Sequence, residues 1–524
     1  MPPDDAYERT YLAGILDRQL PRQELLDALQ ARLKEARKDE NYRYLTFPAP
    51  PETTDFTSRI AELDARSNQE VYNVRELSIG FSDAIYICDG VNDQEQFKQA
   101  MQSVPEGEEL ILRIGPGTYE FGGNEPLYLG KRKIRFLGAG QGATIFKAAA
   151  ESTMGSILNN YLDPVDGLTV KSITFDLSSR SDIGAMHIHQ GDFVEVADCE
   201  FMGQKTVRGS VWLLRFGDYK GNPAANASYN LHFHDNYIHD NDCGAYEPLL
   251  IVNQKFPSIK NNKFSNNTTS AYEIVLYINN YFSVISNNQF TNSKAKSIGV
   301  MESQKTVIAN NIAAIDEVRF VSVINSISTS ITGNTATCKS TAAGESSCVE
   351  LFDRQVGPDN HVSLINPSTD IEVTGNTISD FKYGVRAQIA GHVGVNDYKL
   401  NQRDILIERN NFNNITYLPI AMGADHIDNA LSNIRVLRNT ITSWGGDHIG
   451  AITFRGYKLT PMRGELHIQG NIIAPSTKGD TSGIRLINAV VSTVADNDVR
   501  GTGKTYAAIS LVNANVAKAS GNLT

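Results

Sequence analysis

Two carboxylates recur one period apart. The triplet Ala-Tyr-Glu stands at 245–247 and again at 271–273, 26 residues later. If Glu273-Ile-Val-Leu-Tyr-Ile-Asn279 is a strand with Ile274, Leu276 and Ile278 turned inward, alternation sends Glu273 outward. Glu247 then lies beside it on the neighbouring strand. Carboxyls about 5 Å apart repel and raise one pKa, and that separation suits a retaining glycosidase. A second acidic set is Glu350 and Asp353, on a strand whose Val349 and Leu351 point inward. Glu302 joins it, closing Ser297-Ile-Gly-Val-Met-Glu302 where other copies close with Asn. Solvated surface acids on an acidic chain account for either set equally well.

Other residues suit a lyase, which needs a base near a uronate carboxylate and a cation to neutralise it. Arg354, Arg386 and Arg485, with Lys382, lie near the relevant strands. Asp425-His426 and Asp447-His448 have the order of an orienter and a base, at unequal places in the repeat. Trp212, Tyr277 and Trp444 offer rings for stacking on sugars. No acidic cluster has calcium spacing and no Cys/His set has zinc spacing, so no metal or cofactor is expected. Five cysteines, Cys88, Cys199, Cys243, Cys338 and Cys348, make no disulfide framework; Cys338 and Cys348 are near enough to pair.

The element that must position these groups is a repeat. From 231 onward, alternating apolar residues lead to an Asn, then to another apolar residue. The aligned asparagines are 236, 262, 288, 311, 334, 376, 411, 439, 471, 497 and 522. Ala197-Asp-Cys-Glu-Phe201 and Lys171-Ser-Ile-Thr-Phe175 are earlier, divergent copies. Spacings of 23 to 26 recur, with longer ones from 198 to 236, 334 to 376, 376 to 411 and 439 to 471. A chain that closes one coil in about two dozen residues stacks coil on coil at ~4.8 Å. Asn tolerates the left-handed conformation of a tight corner, and stacked amides bond in a ladder. The expected fold is all-β, a right-handed parallel β-helix, with the long intervals as loops inserted outward.

Ahead of the repeat, Leu12, Ile15, Leu16 and Leu20, then Leu25, Leu26, Leu29 and Leu33, have helical spacing. Residues 1–80 read as a helical segment for attachment or oligomerisation, with a linker through Phe47-Pro-Ala-Pro-Pro51. Residues 81–524 read as the β-helix. Near its start, Asn92 or Asp93 caps a helix with an apolar face of Phe97, Ala100 and Met101. Leu110–Ile114 is a strand, Gly115-Pro-Gly-Thr-Tyr119 a turn, and Ala143-Thr-Ile-Phe146 another strand.

These features resemble the opening of pectate-lyase-like β-helix proteins: Asp89-Gly90 with Asp93, a capping helix, Pro116-Gly-Thr-Tyr119, and Gly138-Ala-Gly140 before Thr144-Ile145. The resemblance spans roughly residues 80 to 522. It implies a phage tailspike or capsule depolymerase that binds and cuts a bacterial surface polysaccharide, as a glycosidase rather than a lyase. A non-catalytic adhesin or virion protein shares the same opening. The resemblance also implies a homotrimer, to which outward Leu249, Ile251, Val275 and Tyr277 lend support, and docking on a phage baseplate or tail protein through residues 1–80.

A net charge of −11 excludes the clustered cations of a duplex nucleic-acid binder. The acidic start lacks the apolar run of a signal peptide, and no apolar run reaches membrane-span length. The expected location is therefore a virion made in a host cytoplasm. Asn522 near the end leaves a final coil without a visible cap, which suggests truncation, a partner or a trimer contact.

Overall fold

The asparagines form one continuous ladder. In a computed structural model, Asn236, Asn262, Asn288, Asn311, Asn334, Asn376, Asn410, Asn439, Asn471, Asn497 and Asn522 occupy equivalent places on successive coils. From Asn262 onward each Oδ1 accepts from both the backbone N–H and the Nδ2 of the asparagine on the coil before, at 2.9–3.1 Å, while Asn236 Oδ1 accepts from Cys199 N–H. Each Nδ2 also donates to a backbone carbonyl, as Asn288 does to Ile259 at 3.0 Å. The amides from 236 to 497 are buried, so these bonds satisfy groups that water cannot reach.

Two details differ from the sequence reading. The rung in Arg409-Asn-Asn-Phe412 is Asn410, which is buried, whereas Asn411 opens a strand and is exposed. Nor is the ladder residue the one in the left-handed region. That conformation falls on the residue before it: Asp235, Asn261, Asn287, Asn310, Gly333, Gly375, Arg409, Arg438, Gly470, Asp496 and Gly521, with φ between 53° and 66°. Most of these are Asp, Asn or Gly, which bear a positive φ at least cost. Each corner thus divides its work between a turning residue and a bonding residue.

The structure describes residues 75–524 apart from 80–84, 89, 91–92, 106, 162, 166, 207–210, 219–226, 317–318, 340–345, 354–367, 390–400, 425–429, 446–449, 457–464, 480 and 503–506. Residues 1–74, with the expected helices, lie outside the described residues. So do much of the long intervals and both Asp-His pairs.

The described strands build three long sheets. Sheet I includes His232–His234 and Ser258–Lys260, sheet II Tyr237–His239 and Lys263–Ser265, sheet III Leu249–Val252 and Thr268–Tyr277. The sheets have 17, 13 and 15 strands, parallel throughout except where Arg75–Ile79 pairs antiparallel with Ile85–Cys88 and Glu109–Ile114 in sheet I. The chain passes from sheet I to II to III and then begins the next coil, as expected of a parallel β-helix. Inward side chains from all three sheets make one core, with Phe175 stacked on Phe201 and Phe264 on Phe290 at 5.1 and 5.2 Å.

Helix α1, Gln94–Gln102, covers the first coil with Phe97, Ala100 and Met101 buried. Asp93 sits at its N-cap, but its carboxylate accepts from Gly90 N–H and Glu120 N–H rather than from the helix. It ties the helix to the coil beneath. Gly117 already belongs to the strand Gly117–Phe121, so the expected turn at 115–119 is shorter than its motif. All five cysteines are buried and none is in a disulfide; Cys338 and Cys348 are not bonded to each other and pack as small apolar residues.

Candidate functional site

Sheet III supplies the outward face on which the candidate residues meet. Its strands align Leu250, Val275, Gly299, Ser322, Glu350, Arg386, Ala421, Thr453 and Arg485 in one row along the axis. The next row is Val252, Tyr277, Met301, Ile324, Phe352, Gln388, Gly423, Arg455 and Ile487. Leu250, Val252, Tyr272, Val275 and Tyr277 form an apolar cluster separate from the core. Leu249 and Ile251, expected outward, are fully buried core residues; alternation assigns the outward places to their neighbours.

The two Ala-Tyr-Glu triplets do not stack glutamate on glutamate. Gly244 lies opposite Thr269 and Leu249 opposite Ile274, both offsets of 25, so Glu247 is level with Tyr272. Where the chain bends into sheet III, two consecutive residues, Glu273 and Ile274, face inward. Strict alternation fails there, so Glu273 is inside the wall and Glu247 outside it. The expected retaining-glycosidase pair is therefore absent.

Glu273 has a structural role instead. A second, shorter ladder runs Gln204, Asn241, Asn267, Ser293. Ser293 is too short to receive the Asn267 amide as well as its backbone N–H, and Glu273 Oε2 accepts from Asn267 Nδ2 at 3.1 Å. Burial pushes the Glu273 carboxyl up to about 7.

Outside the wall, Trp212, Tyr246, Glu247, Tyr272, Tyr277, Lys296, Met301, Arg319 and Ile324 line a groove of about 430 Å³. Trp212 Nε1 donates to Glu247 Oε2 at 2.9 Å, and the Trp212 and Tyr246 rings meet edge to face at 4.8 Å. Tyr272 lies over Gly299, where a Cβ would come within 3.1–3.3 Å of its ring; glycine leaves the space for it. Burial raises the Tyr272 hydroxyl pKa. Lys296 Nζ sits 5.1 Å above the same ring.

Glu350 stands at the edge of this groove. It is 5% exposed, and its Oε2 lies 2.5 Å from Arg319 Nε, an ion pair by contact rather than an aligned hydrogen bond. Asp353 ends the same strand, Ser347–Asp353, and Arg354 lies outside the described residues. Glu302 turns a corner, with φ 49° and 4% exposure. The ladder residue of that corner is the following Ser303, so Glu302 does not replace a ladder amide. Trp444 is 1% exposed in the core, and its Nε1 donates to the Ala474 carbonyl at 2.8 Å; it has no ring face for a sugar.

A second cavity of about 400 Å³ follows toward the C-terminus, lined by Tyr383, Arg386, Tyr417, Thr453, Arg455 and Arg485 among others. Sequence reasoning missed Tyr246, Tyr272, Arg319, Tyr383, Tyr417 and Arg455. Their shared face depends on the bend before Ile274 and on coil register, which no local motif displays. It also missed the polar group on the N-terminal coils. There Asp218 accepts from Arg215 at 2.8 Å and faces His189 Nδ1 at 3.3 Å. Next to it His187 donates to the Trp212 carbonyl at 2.7 Å, and burial drives its pKa down to about 4. Among the described residues no cluster of His, Cys, Asp or Glu is arranged to hold a metal.

The chain is a right-handed parallel β-helix with a grooved outer sheet. No family model matches it, and no curated protein sequence does. Among solved structures it is similar to the tailspike protein of E. coli bacteriophage HK620 in complex with a pentasaccharide, at 10% identity and TM-score 0.50, covering 82% of this chain and 75% of that one. It is also similar to the catalytic domain of a GH87 alpha-1,3-glucanase in complex with tetrasaccharides, at 15% and 0.43, covering 83% and 67%. A third is the A-module of the Azotobacter vinelandii mannuronan C-5 epimerase AlgE4, at 14% and 0.39, covering 80% and 97%. At these identities the likeness is one of fold.

Proposed function

We propose that this protein binds a bacterial surface polysaccharide along the outward face of sheet III and cleaves it, as a phage-type tailspike. The observation that carries this reading is the groove lined by Trp212, Tyr246, Tyr272 and Tyr277, whose lining residue Arg319 pairs with Glu350. Trp212 and Tyr246 are half-buried, and such rings stack on the apolar faces of pyranoses while their polar ends bond to hydroxyls; Tyr272 and Tyr277, each 6% exposed, form the floor beneath them. A repeating polymer laid along the axis meets a new set of side chains at every coil, each ~4.8 Å on.

In this reading Glu350 is the catalytic carboxylate, working as general acid or base on the glycosidic oxygen or its water. Arg319 holds its orientation. Glu247 belongs to the binding rim through Trp212. Hydrolysis fits better than elimination because the arginine at Glu350, Arg319, is engaged with that carboxylate, while Arg386, Arg455 and Arg485 line the next cavity. Residues 1–80 serve as the attachment segment to a phage baseplate or tail protein, the β-helix domain follows, and the working particle is a homotrimer on the virion. Light scattering of the full chain reads the last point.

A second reading, a spike that binds without cutting, draws on the burial of Glu350 against Arg319, which is also what a structural ion pair looks like. The two part on one experiment. Capsular and O-antigen polysaccharides are incubated with the protein, and reducing ends and unsaturated-uronate absorbance are followed. Reducing ends alone mean hydrolysis, both signals mean elimination, and neither means binding only. For a cleaved substrate, Glu350→Gln is expected to lower kcat by roughly 100-fold or more with affinity little changed. Full activity in that variant would remove Glu350 from catalysis.

A further inference from the structure

We infer that the groove beyond Glu350 recognises anionic substituents, so that the polymer bound on this face is an acidic polysaccharide. The inference rests on the binding reading above and adds the substrate's chemistry. Arg386, Arg455 and Arg485 line this cavity together with Tyr383, Tyr417 and Thr453, and among the described residues none that lines it is acidic. That concentration of one sign occurs in a chain of net charge −11.

The register explains the groove's shape and spacing. Arg386 directly follows Glu350 in the outward row, and Ala421 and Thr453 separate it from Arg485. Arg455 stands in the adjacent row, next to Gly423. Ala421 and Gly423 leave a trough between Arg386 on one side and Arg455 and Arg485 on the other. Three coils separate Arg386 from Arg485, about 14 Å at the strand spacing.

The aromatic rings keep the cations in place. The Arg386 guanidinium lies 4.7 Å above the Tyr383 ring, and Lys382 Nζ is 5.6 and 5.5 Å from the Tyr383 and Tyr417 rings. The two rings meet edge to face at 5.4 Å. A ring beneath a guanidinium orients its fork while leaving its charge in place. Guanidinium groups donate and cannot accept, whereas neutral sugars present hydroxyls that need both. Carboxylates, sulfates and phosphates are pure acceptors and match the fork in pairs.

With Glu350 between the aromatic and arginine grooves, a chain lying along the axis places an anionic residue on the C-terminal side of the bond next to Glu350.

The test is affinity electrophoresis of the full chain in gels containing polygalacturonate, dextran sulfate or neutral dextran, at low and high salt. Retardation by at least one anionic polymer is expected, weakening as salt rises, and neutral dextran should leave mobility unchanged. Arg386→Gln with Arg485→Gln should weaken that retention at least tenfold. Arg455→Gln, on an exposed side chain, should weaken it less, with circular dichroism unchanged in both variants. Retardation by polygalacturonate alone assigns a carboxylate, by dextran sulfate alone a sulfate-like group, and by both a general anion site. Absence of retention by both anionic polymers at low salt, or retention that survives the double substitution, overturns the inference. Cleavage of a neutral polysaccharide with indifference to anions sinks this inference and leaves the function standing. Anion retention without cleavage of any polysaccharide does the reverse for catalysis.

Discussion

Asn288→Ala is expected to destabilise the protein by upwards of about 4 kcal/mol and to leave little of it soluble. Asn288 takes part in four bonds through its side chain. Its Oδ1 accepts from Asn262 N–H and Asn262 Nδ2 at 2.9 and 3.0 Å, and its Nδ2 donates to Ile259 O and Asn311 Oδ1 at 3.0 Å each. Alanine removes all four and leaves the partners buried, where each unmade bond costs about 1–3 kcal/mol. The sum is not additive, but no side chain nearby can substitute and the rung is inaccessible to water. Asn288→Asp sharpens the test. It keeps the acceptor for Asn262, but sets an oxygen against Asn311 Oδ1 and adds a buried charge, so it should do no better than alanine. Denaturant midpoints and soluble yield measure both. A loss under about 1 kcal/mol would mean the ladder ornaments the coil rather than holding it.

The same ladder explains why so much of the fold was legible. An amide that must meet its copy on the next coil recurs at the coil length, and the buried residue two places on, such as Phe264, Phe290 or Ile378, recurs with it. Among the rungs the doublet at 410–411 was misread, because two adjacent asparagines fit the spacing equally and the buried one is known only from its neighbours.

The site was harder for a physical reason. Alternation predicts facing along a straight strand, and the chain bends just before Ile274. One added inward residue moved Glu273 inside and brought Tyr272 out. Trp444 was misjudged because a tryptophan's one polar atom finds a partner in a core as readily as at a surface. Glu350 was expected outward by alternation with Val349 and Leu351, and its strand is regular there, with Arg386 beside it on a strand flanked by inward Val385. What pairs with them, Arg319 and Tyr383, comes from other coils.

Glu273→Gln is expected to stabilise the protein at alkaline pH and leave it unchanged in acid. The carboxyl titrates near 4.5 when free and at about 7 in the fold, because burial disfavours its charge. Below pH 4.5 it is neutral in both states and contributes nothing to pH dependence. Between 4.5 and 7 the unfolded chain loses the proton while the fold retains it, so the unfolded state binds fewer protons and stability falls as pH rises. Above 7 both are ionised and the full penalty, on the order of 3 kcal/mol, remains. Glutamine still offers an oxygen to Asn267 Nδ2, so the second ladder keeps its rung. The difference in unfolding free energy between variant and parent should therefore be near zero at pH 4.5, rise through neutrality and level off above pH 7. Glu273→Ala serves as the contrast: it also removes the charge but strands the Asn267 amide, and should be less stable than the glutamine variant at every pH. A glutamine-minus-parent difference that stays flat from pH 4.5 to 8 would show that the carboxyl has a route to water and is not sealed inside the wall.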